Sequence, residues 1–377
     1  MNDDEGAERL PAFWHAVYAM TPRTPVTHAI IALNVAVFVA LLFAGSGFLR
    51  GSPDVLLAWG ANAGPATLDG EPWRLLASMF LHYGVVHLAF NMWAFRDAGR
   101  LVERLYGNGA FLGIYLFAGI CGGLASVWWN APRVVSAGAS GAIFGVYGAL
   151  LAYSMAQKGS VPKAVIGSIS ASAAVFVAFS LFVGALLTGI DNAAHLGGLV
   201  GGLMAGLVLA HPIAVPIGAA RLALSAAVAL AALAALWTAL PPPAYTYRDQ
   251  LAAERAVRAF VAEEAATVRL ARDILDPLKR GELAPAAAAD RLEAEVVPRW
   301  EAAHRQLTAV RLDDTAPAAR RLQIMVRYTA LRREMLSELA QGLRNDDRLR
   351  LEHANALAAE SHRLLDELQR SRQEPTR

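Results

Sequence analysis

Seven apolar runs constrain this chain more than any other feature. They cover residues 29–44, 85–95, 110–129, 136–155, 164–187, 193–210 and 222–240, and the last stops at Pro241-Pro242-Pro243. A helix needs about 20 apolar residues to cross the hydrocarbon core, and most of these runs approach that length. In lipid every backbone polar group must be satisfied internally, and an uninterrupted apolar run of this length does so as a helix. Composition sharpens the point only through its partition. Of all residues 55% are hydrophobic and 18% charged, and the charges crowd outside residues 27–240. The expected fold is an all-α, polytopic membrane helical bundle followed by a soluble helical domain.

Orientation follows from the short loops. Arg96, Arg100 and Arg104 lie between the second and third runs, Lys158 and Lys163 between the fourth and fifth, and Arg221 before the seventh. The alternate loops are poorer in cations, with Arg133 in one and none near 188–192. Positive charge stays in the cytoplasm, so the N-terminus is expected inside and the long 45–81 loop outside. An odd number of spans then carries the C-terminal portion outside. Residues 1–26 are polar, acidic and punctuated by proline, without the apolar stretch and cleavage site of a secretory signal.

Beyond the triple proline the material changes to Ala, Leu, Glu and Arg. Val257, Phe260, Val261 and Ala265 recur at helical spacing, as do Leu322, Met325, Tyr328 and Thr329. Breaks are expected near Asp276-Pro277, at 281–285 and at Ala316-Pro317. The organisation read from the chain is a cytoplasmic segment at 1–26, a six-span core at 27–212, a seventh helix at 213–240 and an extracytoplasmic helical bundle at 241–377.

Polar groups inside spans are costly and face protein or water. The second run carries His87 and Asn91, four residues apart and so on one face. The fourth opens with Gly138-Ala139-Ser140-Gly141, and the sixth with Asp191-Asn192-Ala193-Ala194-His195-Leu196-Gly197-Gly198. These even-numbered spans all enter from the outer face, and each bears its polar residues in its first turns, so the groups lie at matched depth. Gly198, Gly202 and Gly206 form a stripe at four-residue steps, facing Gly141, Gly145 and Gly148 as a partner surface. Close packing there brings Ser140 to His195. A serine hydroxyl attacks a carbonyl only when a base takes its proton, and histidine is the usual base. The oxyanion that forms needs donors, which Asn91, His87 and the Ser140 amide can supply. Asp191 reads as a cap on the sixth helix. The single cysteine, Cys121, sits in a glycine-rich apolar run and reads as a packed core thiol.

The same residues resemble the signature of the rhomboid family of intramembrane proteases. His87-Leu88-Ala89-Phe90-Asn91, Gly138 to Gly141 and Ala194-His195-Leu196-Gly197-Gly198 match its three elements in chain order. Trp73-Arg74 resembles the pair in the family's outer loop, and Glu103-Arg104 with Gly107 its element after the second span. His82 also falls where the family commonly has a histidine. The resemblance covers about residues 27–210 and implies a six-span core, here with one extra span. It implies a Ser140–His195 catalytic dyad without a third acid, and an oxyanion hole from His87, Asn91 and the Ser140 amide. Gly138, Gly141, Phe144 and Gly198 support the site, with Phe144 packed against His195. The substrates implied are single-span membrane proteins cut near the outer end of their helix, which must unwind to expose a peptide bond. No metal and no cofactor is implied.

Three other functions fit the sequence less well. A pseudoprotease typically lacks the serine or the histidine, and both are present. A transporter spreads its polar groups through the membrane depth, whereas these cluster near one face. A zinc peptidase calls for His-Glu-x-x-His, which does not occur. Expected partners are the lipid bilayer and transmembrane substrates, with no nucleic acid, in a multi-pass protein of the bacterial inner membrane. The tail is open to self-association, to substrate recruitment or to shielding the active-site face.

Overall fold

The computed structural model describes residues 3–130, 134–157, 161–213, 215 and 217–373. Arg133 and Lys158, two of the loop cations used for orientation, lie outside them. The chain divides into two compact units, Met1–Pro243 and Ala244–Arg377.

The first unit opens with α1 (Asp3–Met20), followed by α2 (Pro25–Phe43), where proline occupies the first turn and needs no amide partner. The long loop after α2 is built from short pieces: α3 (Pro53–Ala58), β1 (Asn62–Ala63), α4 (Gly64–Leu68) and α5 (Arg74–Ala77). Then come α6 (Val85–Tyr106), α7 (Asn108–Asn130), β2 (Val135–Ser136), α8 (Ser140–Ala156), α9 (Lys163–Leu186), α10 (Asn192–Leu209) and α11 (Ala219–Thr238).

Helices thus stand at all seven apolar runs. Five are long and apolar enough to cross a membrane, and a sixth results if residues 74–80 and α6, bent by 93° to each other, count as one broken span. The remaining helix, α8, is apolar but has 17 residues, about 26 Å of rise. The protein is an integral, multi-pass helical membrane protein.

Two boundaries differ from the hydropathy reading. The second run ends at residue 95, whereas α6 continues to Tyr106. Beyond the run its inner face stays apolar, with Ala98, Val102, Leu105 and Tyr106 buried at helical spacing. Arg96, Arg100 and Arg104 therefore ride on the helix, and Gly107, at φ 81°, makes the turn into α7. The buried Glu103 carboxylate accepts from the Val26 and Thr27 amides and the Thr27 hydroxyl, which ties the start of α2 to α6. The fourth run begins at 136, but residues 135–136 are extended. They pair antiparallel with β1, Asn62 opposite Ser136, so the helix begins at Ser140.

The core of this unit lies among α6, α7, α8 and α10, with Phe95, Tyr106, Phe111, Tyr115 and Tyr153 fully enclosed. α8 and α10 meet backbone to backbone. A Cβ on Gly198 or Gly202 would collide with the carbonyl oxygens of Gly141 and Gly145. α11 buries no side chain among its described residues.

In the second unit, α12 (Tyr247–Lys279) leads through α13 (Pro285–Arg291) and a π-helical turn at 292–296 into α14 (Val297–Thr308). The long helices α15 (Ala319–Asn345) and α16 (Arg348–Gln373) complete it. α12 runs two residues past Pro277 and ends before Gly281, at φ 75°. Proline removes one helical hydrogen bond, and so close to the terminus that loss does not stop the helix earlier. Its inner face is Ala253, Val257, Phe260, Thr267, Ala271 and Ile274. Val261 and Ala265 are exposed, because the inward stripe continues from Phe260 through the half-buried Glu264 to Thr267. Trp300 is fully enclosed between Phe260 and Tyr328, with ring centroids 6.0 and 5.6 Å away.

Candidate active site

Ser140 is the first residue of α8 and His195 lies in the first turn of α10, so the glycine contact between these helices fixes their separation. Ser140 Oγ stands 2.9 Å from His195 Nε2. The His195 ring stacks on Phe144, centroid to centroid 4.3 Å and 7° from parallel. Phe144 in turn packs against Phe176 of α9. With Nε2 facing the hydroxyl, Nδ1 holds the proton of the neutral ring, and it is buried without a protein partner. Asp191 does not reach that atom. Its Oδ1 accepts from the Ala194 amide at 3.0 Å and from Asn130 Nδ2 at 2.8 Å, which makes it the cap of α10.

His87 and Asn91 come to the same place from α6. Gly138, two residues before the serine, has φ 141°, and a Cβ built on it would lie 2.8 Å from His87 Cε1 and 3.7 Å from Asn91 Nδ2. Glycine is required there both by the backbone angle and by the two side chains. Asn91 is buried, and its Nδ2 has no hydrogen-bond partner. Burying an amide donor unpaired is costly, and native structures rarely do so without a reason. Ser140 itself is partly accessible, and as the first residue of α8 its amide has no partner within the helix.

The remaining sequence-predicted residues brace this arrangement. His82 is fully buried and meets His87 edge to face at 5.1 Å. Arg74 is buried and donates to the carbonyls of Leu57 and Ala61, 2.6 and 3.0 Å away, pairing also with Glu71. It holds the outer loop together. Cys121 is buried in α7, where Gly201 of α10 packs against its side chain. Sequence reasoning missed three supports. The Gly138 amide donates to the Ser78 carbonyl (2.9 Å), the Tyr83 hydroxyl donates to the Val135 carbonyl, and β1 pairs with β2. Together they hold the segment leading into Ser140, and a two-residue strand leaves no periodicity to find. Among the described residues no three His, Cys, Asp or Glu side chains are grouped to hold a metal ion.

A helical membrane protein with a hydrogen-bonded serine and histidine at converging helix starts defines the class. The family model of the Rhomboid domain matches residues 69–212. Rhomboid protease AarA of Providencia stuartii is 32% identical over 203 residues, 46% of this chain and 69% of that protein. Rhomboid protease GluP of Bacillus subtilis (strain 168) is 40% identical over 174 residues, covering 46% of this chain but 32% of its own length. Rhomboid-like protease 2 of Toxoplasma gondii is 32% identical over 172 residues, 45% of this chain and 59% of that protein. This chain belongs to the rhomboid family. It spans about a third of the Bacillus protein and rather more than half of the Toxoplasma one.

Proposed function

We propose that this chain is an intramembrane serine endopeptidase that hydrolyses peptide bonds near the outer end of transmembrane segments in membrane proteins. The observation that carries the reading is the 2.9 Å approach of Ser140 Oγ to His195 Nε2, beside the unpartnered Asn91 amide. Ser140 attacks the scissile carbonyl while Nε2 of His195 takes its proton. The tetrahedral oxyanion is held by the Ser140 backbone N–H, Asn91 Nδ2 and His87. His195 then returns the proton to the leaving amine, leaving an acyl-enzyme. Water attacks that ester, His195 again acting as base, and the serine is released. Stacking on Phe144 keeps the imidazole in the plane that both proton transfers need, while Gly138, Gly141 and Gly198 keep the helices close enough for the contact to form.

In the proposed arrangement residues 1–26 are cytoplasmic, 27–212 form the six-span protease core, 213–240 the seventh span and 241–377 a domain outside, in a bacterial inner membrane. The tail recruits substrates or self-associates. Cleavage of a single-span reporter in proteoliposomes tests the chemistry. Ser140→Ala and His195→Ala are each expected to lose cutting on the order of 10⁴-fold or more with the fold intact. Undiminished cleavage by either variant would reject the dyad.

A further inference from the structure

At the other end of the first unit lies a cavity that the peptidase reading does not use. It is lined by Met20 and Thr21 at the end of α1, by Arg104 to Ala110 at the α6–α7 turn, and by His211, Ile213, Ile217 and Leu222. Asn91 and Tyr106 are separated by 15 residues of α6, about 22 Å of rise, so the cavity sits near the opposite membrane face from the serine. Its volume is about 210 Å³.

The lining is chemically specific. Among the described residues it contains one cation, Arg104, and no carboxylate. The Arg104 Nη1 donates to the Thr21 carbonyl at 2.8 Å, and its guanidinium lies 4.4 Å from the Tyr18 ring centroid, which fixes the charge in place. The first turn of α7 begins here at Asn108, so its leading amides lack helical acceptors and present partial positive charge. That backbone is bare, since a Cβ on Gly107 or Gly109 would meet nothing within 4 Å. The independent observation is His211. It is 7% exposed, its Nδ1 donates to the Pro212 carbonyl at 3.0 Å, and its buried Nε2 has no partner. In that tautomer Nε2 is an acceptor, left unpaired in a residue that lines the cavity. Met20, Ile213, Ile217 and Leu222 supply an apolar wall beside these polar groups.

We propose that this cavity binds a phosphoryl group that carries or adjoins a hydroxyl: Arg104 and the α7 amides hold the anionic oxygens, and His211 Nε2 accepts from the hydroxyl. A glycerophospholipid headgroup and a soluble phosphate share that chemistry. The apolar wall and the position at a membrane face favour the lipid, whose chains would lie along Ile213, Ile217 and Leu222.

Native mass spectrometry of the full chain in detergent separates the sources, using phosphatidylglycerol, phosphatidylcholine, glycerol 1-phosphate and inorganic phosphate as probes. Retention of phosphatidylglycerol at least about tenfold above phosphatidylcholine is expected, with the soluble phosphates weaker. Tight retention of glycerol 1-phosphate or inorganic phosphate instead would keep the site and assign it to a soluble ligand. Gly109→Asp places a carboxylate in the open mouth at a helix start, where an acidic residue favours folding. It and His211→Phe are each expected to lose the preference. Equal retention of the two lipids with no binding of the soluble phosphates, or a preference untouched by both variants, would overturn the proposal.

Discussion

The two units of this molecule solve the same packing problem in opposite ways. In the first, α8 and α10 approach until backbones touch, and side chains at that contact are reduced to hydrogen. In the second, the contact is filled by large rings, with Trp300 enclosed by Phe260 and Tyr328 and capped by the Arg332 guanidinium 5.0 Å above it. Glycine usage records the division: of 31 in the chain, Gly281 and Gly342 alone follow residue 243. The physical reason is the solvent. Between lipid-embedded helices burial of apolar surface drives nothing, so close van der Waals approach must hold them. In water the burial of aromatic area is itself the drive. Outer surfaces differ in the same sense. α11 turns Leu224, Val228 and Leu230 outward, whereas the second unit carries ion pairs such as Arg344 with Asp290 and Glu293.

Four substitutions bear on that contrast. Gly202→Leu should be the most damaging, because the side chain must enter the space of the Gly145 backbone. A loss above about 4 kcal/mol is expected, seen as failure to recover folded protein in detergent. Normal yield and melting would show that the α8–α10 contact is not what holds the first unit. Trp300→Ala should destabilise the second unit by roughly 3–5 kcal/mol, read by denaturant unfolding. Cleavage of a short reporter by the solubilised protein should persist, and a parallel loss would mean that the units do not fold separately. Asn91→Ala is expected to lower kcat by about 10²–10³-fold without a change in melting temperature. A fall in stability with unchanged kcat would make Asn91 a packing residue. Smallest of all, Arg344→Ala removes an exposed ion-pair cluster and should shift melting of the second unit only slightly, an effect that fades at high salt.

How much was legible followed from periodicity. The seven runs marked seven helices, and the spacing of His87 to Asn91 and of the glycine stripe marked the faces that meet. The end of α6 was not legible from hydropathy, because its last turns are amphipathic and bury Glu103 against amides of α2. Nor was the exposure of Val261 and Ala265, since a stripe of mixed three- and four-residue steps can be continued either way. The loop between α2 and α6 is held by Arg74 and by a strand pair of two residues, contacts that join distant positions and leave no local repeat.

Residue order alone determined that the chain crosses a membrane as helices, since uninterrupted apolar runs of this length satisfy their own backbone in lipid only by coiling, and that a serine, a histidine and two donors lie at like depth. The tertiary structure alone decided that Ser140 and His195 touch and that Gly138 takes a backbone angle only glycine accepts readily. It also decided that His211, whose buried Nε2 has no partner, lines a cavity at the far end of the bundle. Those are distances between helices. They depend on how closely neighbouring backbones settle, a property of pairs of helices that no single run encodes.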